Sequence, residues 1–266
     1  LKYQFEGQPK VTRYSNYHNW FPSVNVKYQI LPNFDWQIGW NKSIGRVPID
    51  NLSGVWVIDE VNQRVTAPNR ELQPEFHDKY QTRFGYYFSG RSPGSVTLAF
   101  SKTSFRNTIQ SFDYTAAEFG NDDPDLQNFI FRSTRNLSDR VTTTKNMAAA
   151  YRQQLGFLPS QYLRGLGVFL NYDRTYVTQS GDGSGAAARR GNLTPHRVAG
   201  GVNYSYGRFS GSANLIWGAD RPDGGTYGQY YSQITKVDIT ANWRLNRYTT
   251  LFATGRNIRN APDRWY

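Results

Sequence analysis

The chain of 266 residues contains no cysteine, which excludes a disulfide framework and a thiolate metal site. Hydrophobic residues make up only 38% of it, and no apolar run approaches the roughly 18–20 residues that a transmembrane helix needs. The three histidines, His18, His77 and His196, lack the spacing of metal ligands. Neither a Gly-x-Ser-x-Gly elbow nor a P-loop occurs. These absences predict a protein that is not an enzyme and has no metal site or cofactor.

Aromatic residues and glycine are abundant, with 19 Tyr, 16 Phe, 7 Trp and 24 Gly. This composition is typical of β-strands and interfacial aromatic girdles rather than of a helical core. The formal net charge is +11, which solvated loop residues would explain. It also fits a lumen and loops that attract anionic ligands and lipopolysaccharide, or a nucleic-acid surface. No basic run exceeds two residues, as at Arg189-Arg190, so we do not expect a nucleic-acid partner.

Strict alternation of apolar and polar residues dominates the segment Val24–Ile44. Residues 24–30 read VNVKYQI and residues 34–40 read FDWQIGW, with Leu-Pro-Asn between them. A period of two is that of a β-strand, whose successive side chains leave opposite faces of the sheet. The intervening residues favour a tight turn. A soluble sheet packs its apolar face on a core, but Trp36 and Trp40 on that face favour a barrel wall in lipid.

The same alternation returns in eight further segments, so about ten strands are expected in all. These segments are residues 80–88, 96–100, 141–157, 166–172, 198–206, 209–217, 237–245 and 248–255. Short turns alternate with long connections, the long ones at residues 46–75, 107–140, 179–194 and 218–232. In an outer-membrane barrel, short turns join strands on the periplasmic side and long loops join them outside. We therefore predict an all-β fold, an antiparallel up-and-down transmembrane β-barrel.

The alternation also predicts which strand residues face the lumen. Charged groups survive there because the lumen is wet or filled with polar protein. The residues expected to face the lumen are Lys27, Asp35, Gln37, Lys79, Arg83, Lys236, Asp238 and Arg244. The residues expected to face lipid are Trp36, Ile38, Phe84, Leu98, Leu215 and Ile239.

The long loops are the expected place of ligand recognition. Loops of some thirty residues greatly exceed the roughly 2–5 that close a hairpin, and loops of that length are usually functional or disordered. Disordered segments tend to be poor in aromatics, whereas aromatics and arginine form binding hot spots. The candidate ligand-binding residues are Trp56, Arg64, Arg189, Arg190, Tyr227, Tyr230 and Tyr231.

Four stretches together resemble the C-terminal part of the barrel of TonB-dependent outer-membrane receptors. The first, WFPSVNVKYQILPNFDWQIGWNKSIGR, resembles a hairpin that begins at Phe-Pro-Ser and ends at Arg-Pro, although Val47 here separates Arg46 from Pro48. NRELQPEFHDKYQTRFGYYF resembles an Asn-x-x-Leu-x-Pro-Glu segment that leads into a strand. QQLGFLPSQYLRGLGVFLNY and the closing GRNIRNAP complete the match in the family's order. Asn146-Met147-Ala148 departs from the Gly-x-Glu of many members.

The resemblance implies a barrel of about 22 strands around a plug, of which this chain supplies about ten. Residues 1–266 are then an interior piece of one barrel domain, without the plug, the energy-coupling box or the last strand. The implied function is active uptake of a scarce ligand (siderophore-bound iron, cobalamin or an oligosaccharide) across the bacterial outer membrane. The implied partners are that ligand, membrane lipid and lipopolysaccharide, and the TonB complex through the missing plug.

Two other functions stay open from the sequence. One is a complete passive pore or adhesin barrel of about ten strands. The other is a soluble basic β-protein that binds polysaccharide, which the positive charge and the aromatic residues would suit.

Overall fold

Ten strands of the computed structural model form a continuous antiparallel meander. The structure describes residues 2–3, 11–12, 18–53, 55–180, 193–222, 230–262 and 264. In chain order the strands are β1 (Lys2–Tyr3), β2 (Val11–Thr12), β3 (Ser23–Leu31), β4 (Phe34–Gly45), β5 (Val57–Asp59), β6 (Arg64–Thr66), β7 (Glu75–Phe88), β8 (Gly94–Tyr114), β9 (Ile130–Gln154), β10 (Leu166–Ser180), β11 (His196–Tyr206), β12 (Phe209–Gly218), β13 (Arg221–Pro222), β14 (Tyr230–Tyr231), β15 (Ile234–Arg244) and β16 (Thr250–Gly255). The helices are α1 (Ile49–Ser53), α2 (Ala116–Phe119) and a 3-10 turn, Pro124–Leu126.

The strand order in the main sheet is β3-β4-β7-β8-β9-β10-β11-β12-β15-β16, and every pair along this path is antiparallel. The β5–β6 hairpin joins the sheet at its side, where β6 runs parallel to the start of β9. Two small pairs, β1–β2 and β13–β14, lie apart from it. The predicted all-β fold with about ten up-and-down strands is confirmed.

Short and long connections alternate along the meander, as predicted. The short ones are residues 32–33, 89–93, 155–165, 207–208 and 245–249, and the long ones are residues 46–74, 115–129, 181–195 and 219–233. All short connections therefore lie at one end of the sheet and all long ones at the other, because the strands are antiparallel neighbours. The longest of the short connections joins β9, which ends at Gln154, to β10, which begins at Leu166.

The longest strands, β8 and β9, overturn the prediction of a loop over residues 107–140. β8 continues to Tyr114 and β9 begins at Ile130, so that only residues 115–129 connect them. Asn107 has a left-handed φ of 58°, and the register shifts between Arg106 and Thr108. This irregularity interrupts the alternation in the sequence, although the two strands remain paired beyond it. The paired ends project past the rest of the sheet on the side of the long connections.

The buried core lies among the long connections rather than in the sheet. Its members are Val65, Ala67, Ala116, Leu126 and Phe131, with Tyr114, Phe119 and Phe129 packed against them. We call this region, formed by β5, β6, α2 and the facing ends of β8 and β9, the loop layer. Among the described residues, no helix has the length and apolar character needed to cross a membrane.

Candidate functional site

The strand register sorts the side chains of the sheet into two chemically different faces. Lys27 pairs with Gln37, and Gln37 pairs with Arg83, whereas Trp36 pairs with Phe84 on the opposite side. When the register is traced from strand to strand, all eight residues predicted for the lumen lie on one face of the sheet, which we call the polar face. The six residues predicted for lipid lie on the other, the apolar face.

A buried carboxylate organises the polar face near the short connections. Asp35 is only 3% exposed, and its Oδ2 lies 3.0 Å from Lys27 Nζ. The Tyr87 hydroxyl donates a hydrogen bond to the same oxygen at 3.3 Å. Arg83 Nη1 lies 3.9 Å from Oδ1, and Arg83 Nη2 donates to the Tyr87 oxygen at 3.3 Å. Two cations and a hydroxyl thus compensate the buried charge and connect β3, β4 and β7.

Gly85 makes room for this network. A Cβ at this position would lie 2.8 Å from Tyr87 Oη and 2.9 Å from Asp35 Oδ1. Real Cβ atoms do not approach other heavy atoms so closely, so any side chain would push Tyr87 away from the carboxylate. The glycine inside this strand therefore serves a close approach of neighbouring side chains.

The middle of the polar face carries a groove of about 300 Å³. Its polar lining includes Asn25, Lys27, Gln37, Lys79, Gln81, Arg83 and Asn146. Four of the eight residues predicted for the lumen meet here, and three of them are cationic. The groove can offer hydrogen bonds and positive charge to an anionic or polar group.

On the apolar face, the indole N–H of Trp36 is paired within the sheet. The rings of Trp36 and Phe84 stack with centroids 6.0 Å apart and planes within 1°. The indole N–H of Trp36 donates to Thr82 Oγ1 at 2.8 Å, and the Thr82 hydroxyl donates to the Gln37 carbonyl at 3.2 Å. Such pairing suits a face in contact with hydrocarbon, because lipid cannot replace a missing hydrogen bond. The buried indole N–H of Trp40, in contrast, has no partner among the described residues.

Trp56 stands at the surface of the loop layer. Its ring meets Phe119 edge-on at 5.8 Å and Phe131 at 5.7 Å, and those two rings stack at 4.8 Å. Phe131 is fully buried, whereas Trp56 remains 42% exposed. The aromatic cluster packs against part of the indole and leaves the rest exposed. Arg64 is half-buried nearby in β6, where it pairs with Ile130 of β9.

Two local hydrogen-bond motifs shape the loop layer. At the tip of the β5–β6 hairpin, the side chain and the backbone N–H of Asn62 both donate to Asp59, at 2.7 and 3.0 Å. These bonds hold the pKa of the Asp59 carboxyl below its usual range, the side-chain bond having the larger effect. They close the tight turn that returns the chain into β6.

The second motif is a capping box on α2. Thr115 N–H donates to Glu118 Oε2 at 2.8 Å, and Glu118 N–H donates to Thr115 Oγ1 at 3.3 Å. The backbone N–H of Thr115, followed by its hydroxyl, lowers the pKa of the Glu118 carboxyl. Gly120 ends the helix in the left-handed conformation, with φ of 78°. The box fixes the direction in which Phe119 points toward the aromatic cluster.

The other predicted ligand residues lie elsewhere. Tyr230 and Tyr231 form β14 in the connection between β12 and β15, where the Arg221 guanidinium lies 4.5 Å above the Tyr231 ring. The strands β10 and β11 separate this connection from β9 and the loop layer in the sheet order. The structure therefore divides the described candidates into two groups. Arg189, Arg190 and Tyr227 lie outside the described residues.

Sequence reasoning missed the partners that hold Trp56. No local pattern links Phe119 and Phe131 to Trp56, because the pairing of β6 with β9 that brings them together spans more than sixty residues of sequence. Arg132 also makes a bidentate pair with Asp113, at 2.7 and 2.9 Å, across the projecting ends of β8 and β9. Only the recognition that these ends are strands would have revealed either feature.

Two of the histidines, His77 and His196, contact neighbouring polar side chains. The Tyr172 hydroxyl lies 2.8 Å from His196 Nδ1, and His77 Nε2 lies 3.3 Å from Glu75 Oε2. Across the described ranges, no group of three or more His, Asp or Glu residues is arranged to hold a metal ion.

Comparison with known proteins identifies the architecture. The family model described as "TonB dependent receptor-like, beta-barrel" matches residues 2–258. The chain belongs to this family. The family comprises barrels of the bacterial outer membrane that are transport receptors rather than enzymes. No curated protein matches the chain significantly.

Several solved siderophore receptors share the fold of this family member. A variant of the ferric enterobactin receptor PfeA from Pseudomonas aeruginosa is 14% identical with a TM-score of 0.66, over 91% of this chain and 35% of that one. The siderophore receptor PirA from the same organism is 13% identical with a TM-score of 0.63, over 93% and 41%. The pyoverdine receptor FpvA is 12% identical with a TM-score of 0.59, over 90% and 32%. The chain thus spans about a third of the length of the receptors it matches.

Proposed function

We propose that this chain forms part of the barrel wall of an outer-membrane receptor that takes up a scarce ligand with energy supplied through TonB. Membership of the TonB-dependent receptor family supports the transport function. The main support for ligand recognition comes from the loop layer, where buried aromatic rings pack against Trp56 and leave part of its indole exposed.

In this proposal the polar face lines the lumen and the apolar face contacts lipid. The compensated charge of Asp35 supports the first assignment, because a wet or protein-filled lumen tolerates such a network. The internally paired indole N–H of Trp36 supports the second. The long connections then lie outside the cell, and the cationic groove is available to the plug or to a passing ligand.

Trp56 and Arg64 are the described candidates for ligand contact in the loop layer, and Tyr230 with Tyr231 form a second group. Arg189, Arg190 and Tyr227 stay candidates from the sequence. Aromatic rings held on one side by packing lose little conformational freedom on binding, which favours them as anchors.

The ligand class that these features favour is an anionic iron–siderophore complex. Aromatic and basic loop residues complement a ligand that carries negative charge and planar groups. Receptors of similar fold bind ferric enterobactin and pyoverdine, as their names state. Cobalamin and oligosaccharides are the other substrates expected from the family resemblance.

The proposal is tested in the full-length receptor, produced in an iron-starved bacterial host with and without TonB. Uptake of radioactive iron is measured for a panel of ferric siderophores. We expect uptake that depends on TonB and falls at least tenfold in Trp56→Ala. Phe157→Ala is the matched control, because Phe157 is an exposed aromatic at the opposite end of the sheet. Uptake that persists without TonB would instead favour a passive pore.

A further inference from the structure

We propose that Lys102 and Lys145 bind the phosphate of an anionic glycolipid in the outer leaflet of the membrane, on the apolar face of the barrel. The proposal rests on the proposed function, because it requires this face to contact lipid and the long connections to lie outside the cell. It assigns a lipid partner to two residues that ligand transport does not use.

The two lysines stand side by side in one row of the sheet. The register aligns Trp40 with Tyr80, Tyr80 with Lys102, Lys102 with Lys145, and Lys145 with Tyr176. Like charges directly opposite each other on neighbouring strands destabilise a sheet. This row therefore holds two adjacent positive charges between aromatic rings, at a cost that an anionic partner would remove.

Neither lysine has a carboxylate to pair with. Both side chains are exposed, and among the described residues no Asp or Glu oxygen lies within 4 Å of either ammonium group. The acid in the adjoining row, Asp78, is bonded to Arg106. Both lysines are thus available to an external anion.

The row of Lys102 and Lys145 marks a change in the side chains of this face, from partly apolar near the short connections to polar near the loops. The row on the side of the short connections contains three apolar residues and two polar ones, Ile38, Thr82, Phe100, Met147 and Arg174. The row on the side of the loops contains only polar residues, Lys42, Asp78, Ser104, Thr143 and Thr178. Lys102 is eight residues beyond the start of β8 at Gly94. At about 2.5 Å of height per residue for a tilted strand, this puts it some 20 Å above the short connections. The apolar band of such barrels is about 25 Å tall, so the ammonium groups reach its outer boundary.

An apolar groove of about 510 Å³ runs beneath the two ammonium groups. Its lining includes Ile38, Trp40, Tyr80, Phe100, Met147 and Tyr176. A third cation, Arg174, lies over the Tyr176 ring at 4.3 Å. The two adjacent ammonium groups would bind a phosphorylated head group, and the apolar groove beneath them would bind an acyl chain. A free phosphate ion would use the cations but not the groove, and we therefore commit to the lipid.

The test uses the full-length receptor purified in detergent and titrated with a phosphorylated glycolipid of the outer leaflet, with binding followed by native mass spectrometry. We expect Lys102→Gln/Lys145→Gln to weaken binding at least tenfold. The control Arg152→Gln/Arg197→Gln removes two charges from the polar face outside its groove and should leave binding unchanged. Lys102→Arg/Lys145→Arg keeps both charges and should restore binding, which separates loss of the site from loss of fold.

Two further measurements test whether the site binds the phosphate group and the acyl chain of one lipid molecule. The same glycolipid without its phosphates should bind at least tenfold more weakly to the wild-type receptor, and millimolar inorganic phosphate should not displace the intact lipid. Equal binding of the two lipids, displacement by inorganic phosphate, or equal binding by the Gln variant and its control would each overturn the proposal. TonB-dependent uptake should be unchanged in the Gln variant. A receptor that binds the lipid through these lysines but transports nothing would contradict the proposed function alone.

Discussion

In the loop layer the side chains of Val65 and Phe131 are fully buried, whereas in the sheet Ile38 and Leu98 remain exposed on the apolar face. The loop layer is thus stabilised as a water-soluble domain is, by removing apolar surface from water. The sheet is stabilised by backbone pairing and by the polar network around Asp35, and in our proposal lipid is the solvent of its apolar face. The same chain contains two kinds of stability that respond to different substitutions.

The largest expected effect of a single substitution is in the loop layer. Phe131→Ala should cost about 3–5 kcal/mol, because it leaves a cavity between Trp56, Phe119 and Val65. We expect hydrogen exchange of the β5–β6 hairpin to become fast while the heat-modifiable mobility of the folded barrel is kept. Ile130→Ala, an exposed neighbour on the same strand, should change little. Loss of the barrel itself would contradict the separation of the two regions.

The sheet should be most sensitive on its apolar face. Ile38→Arg should cost about 2–4 kcal/mol if this position faces mid-bilayer hydrocarbon. Asn171→Arg is the matched control on the polar face, because its partners Ala150 and Ala199 are small and uncharged. Urea unfolding of the full-length receptor in lipid vesicles measures both. Equal destabilisation by the two substitutions would mean that the assignment of the faces is wrong.

A smaller effect is expected at the helix cap. Thr115→Ala removes both the acceptor for the Glu118 N–H and the hydroxyl donor to its carboxylate, which should cost about 0.5–2 kcal/mol. Thr115→Ser keeps the hydroxyl and should behave as the wild type. Local hydrogen exchange of α2 and of Phe119 is the measurement. The urea midpoint of the sheet should not move in either variant.

The smallest expected effect is the pH dependence of the same cap. Hydrogen bonds from Thr115 hold the pKa of Glu118 below its ordinary value of 4.5. A carboxyl with a lowered pKa stabilises the folded state fully above the ordinary value and loses this contribution as the pH falls through the lowered one. The protection of α2 amides from hydrogen exchange should therefore decline below about pH 4.5 in the wild type. It should decline less in Glu118→Gln measured at the same pH. Asp59 titrates in the same direction, so Asp59→Asn should retain this decline. A decline of equal size in Glu118→Gln would exclude Glu118 as its cause.

The alternation in the sequence predicted the strands of the sheet well, because successive side chains of a strand leave opposite faces and each face has its own chemical character. Trp36 and Arg83, for example, lie on opposite faces of the sheet, as the alternation implies, although forty-seven positions separate them in the sequence. The alternation of short and long connections was also confirmed. The prediction was wrong at residues 107–140, where Asn107 interrupts the pattern while hydrogen bonding between β8 and β9 continues on both sides of it.

The strand alternation, the two faces of the sheet and the family resemblance can all be recognised from the sequence alone, because each depends on residues that are close together along the chain. Only the tertiary structure decided which residues meet across strands. The contact of Trp56 with Phe131 depends on the docking of β6 against β9. The juxtaposition of Lys102 and Lys145 depends on the register of β8 and β9. A shift of one residue in either pairing would move these side chains to opposite faces, and no local pattern specifies which shift is avoided.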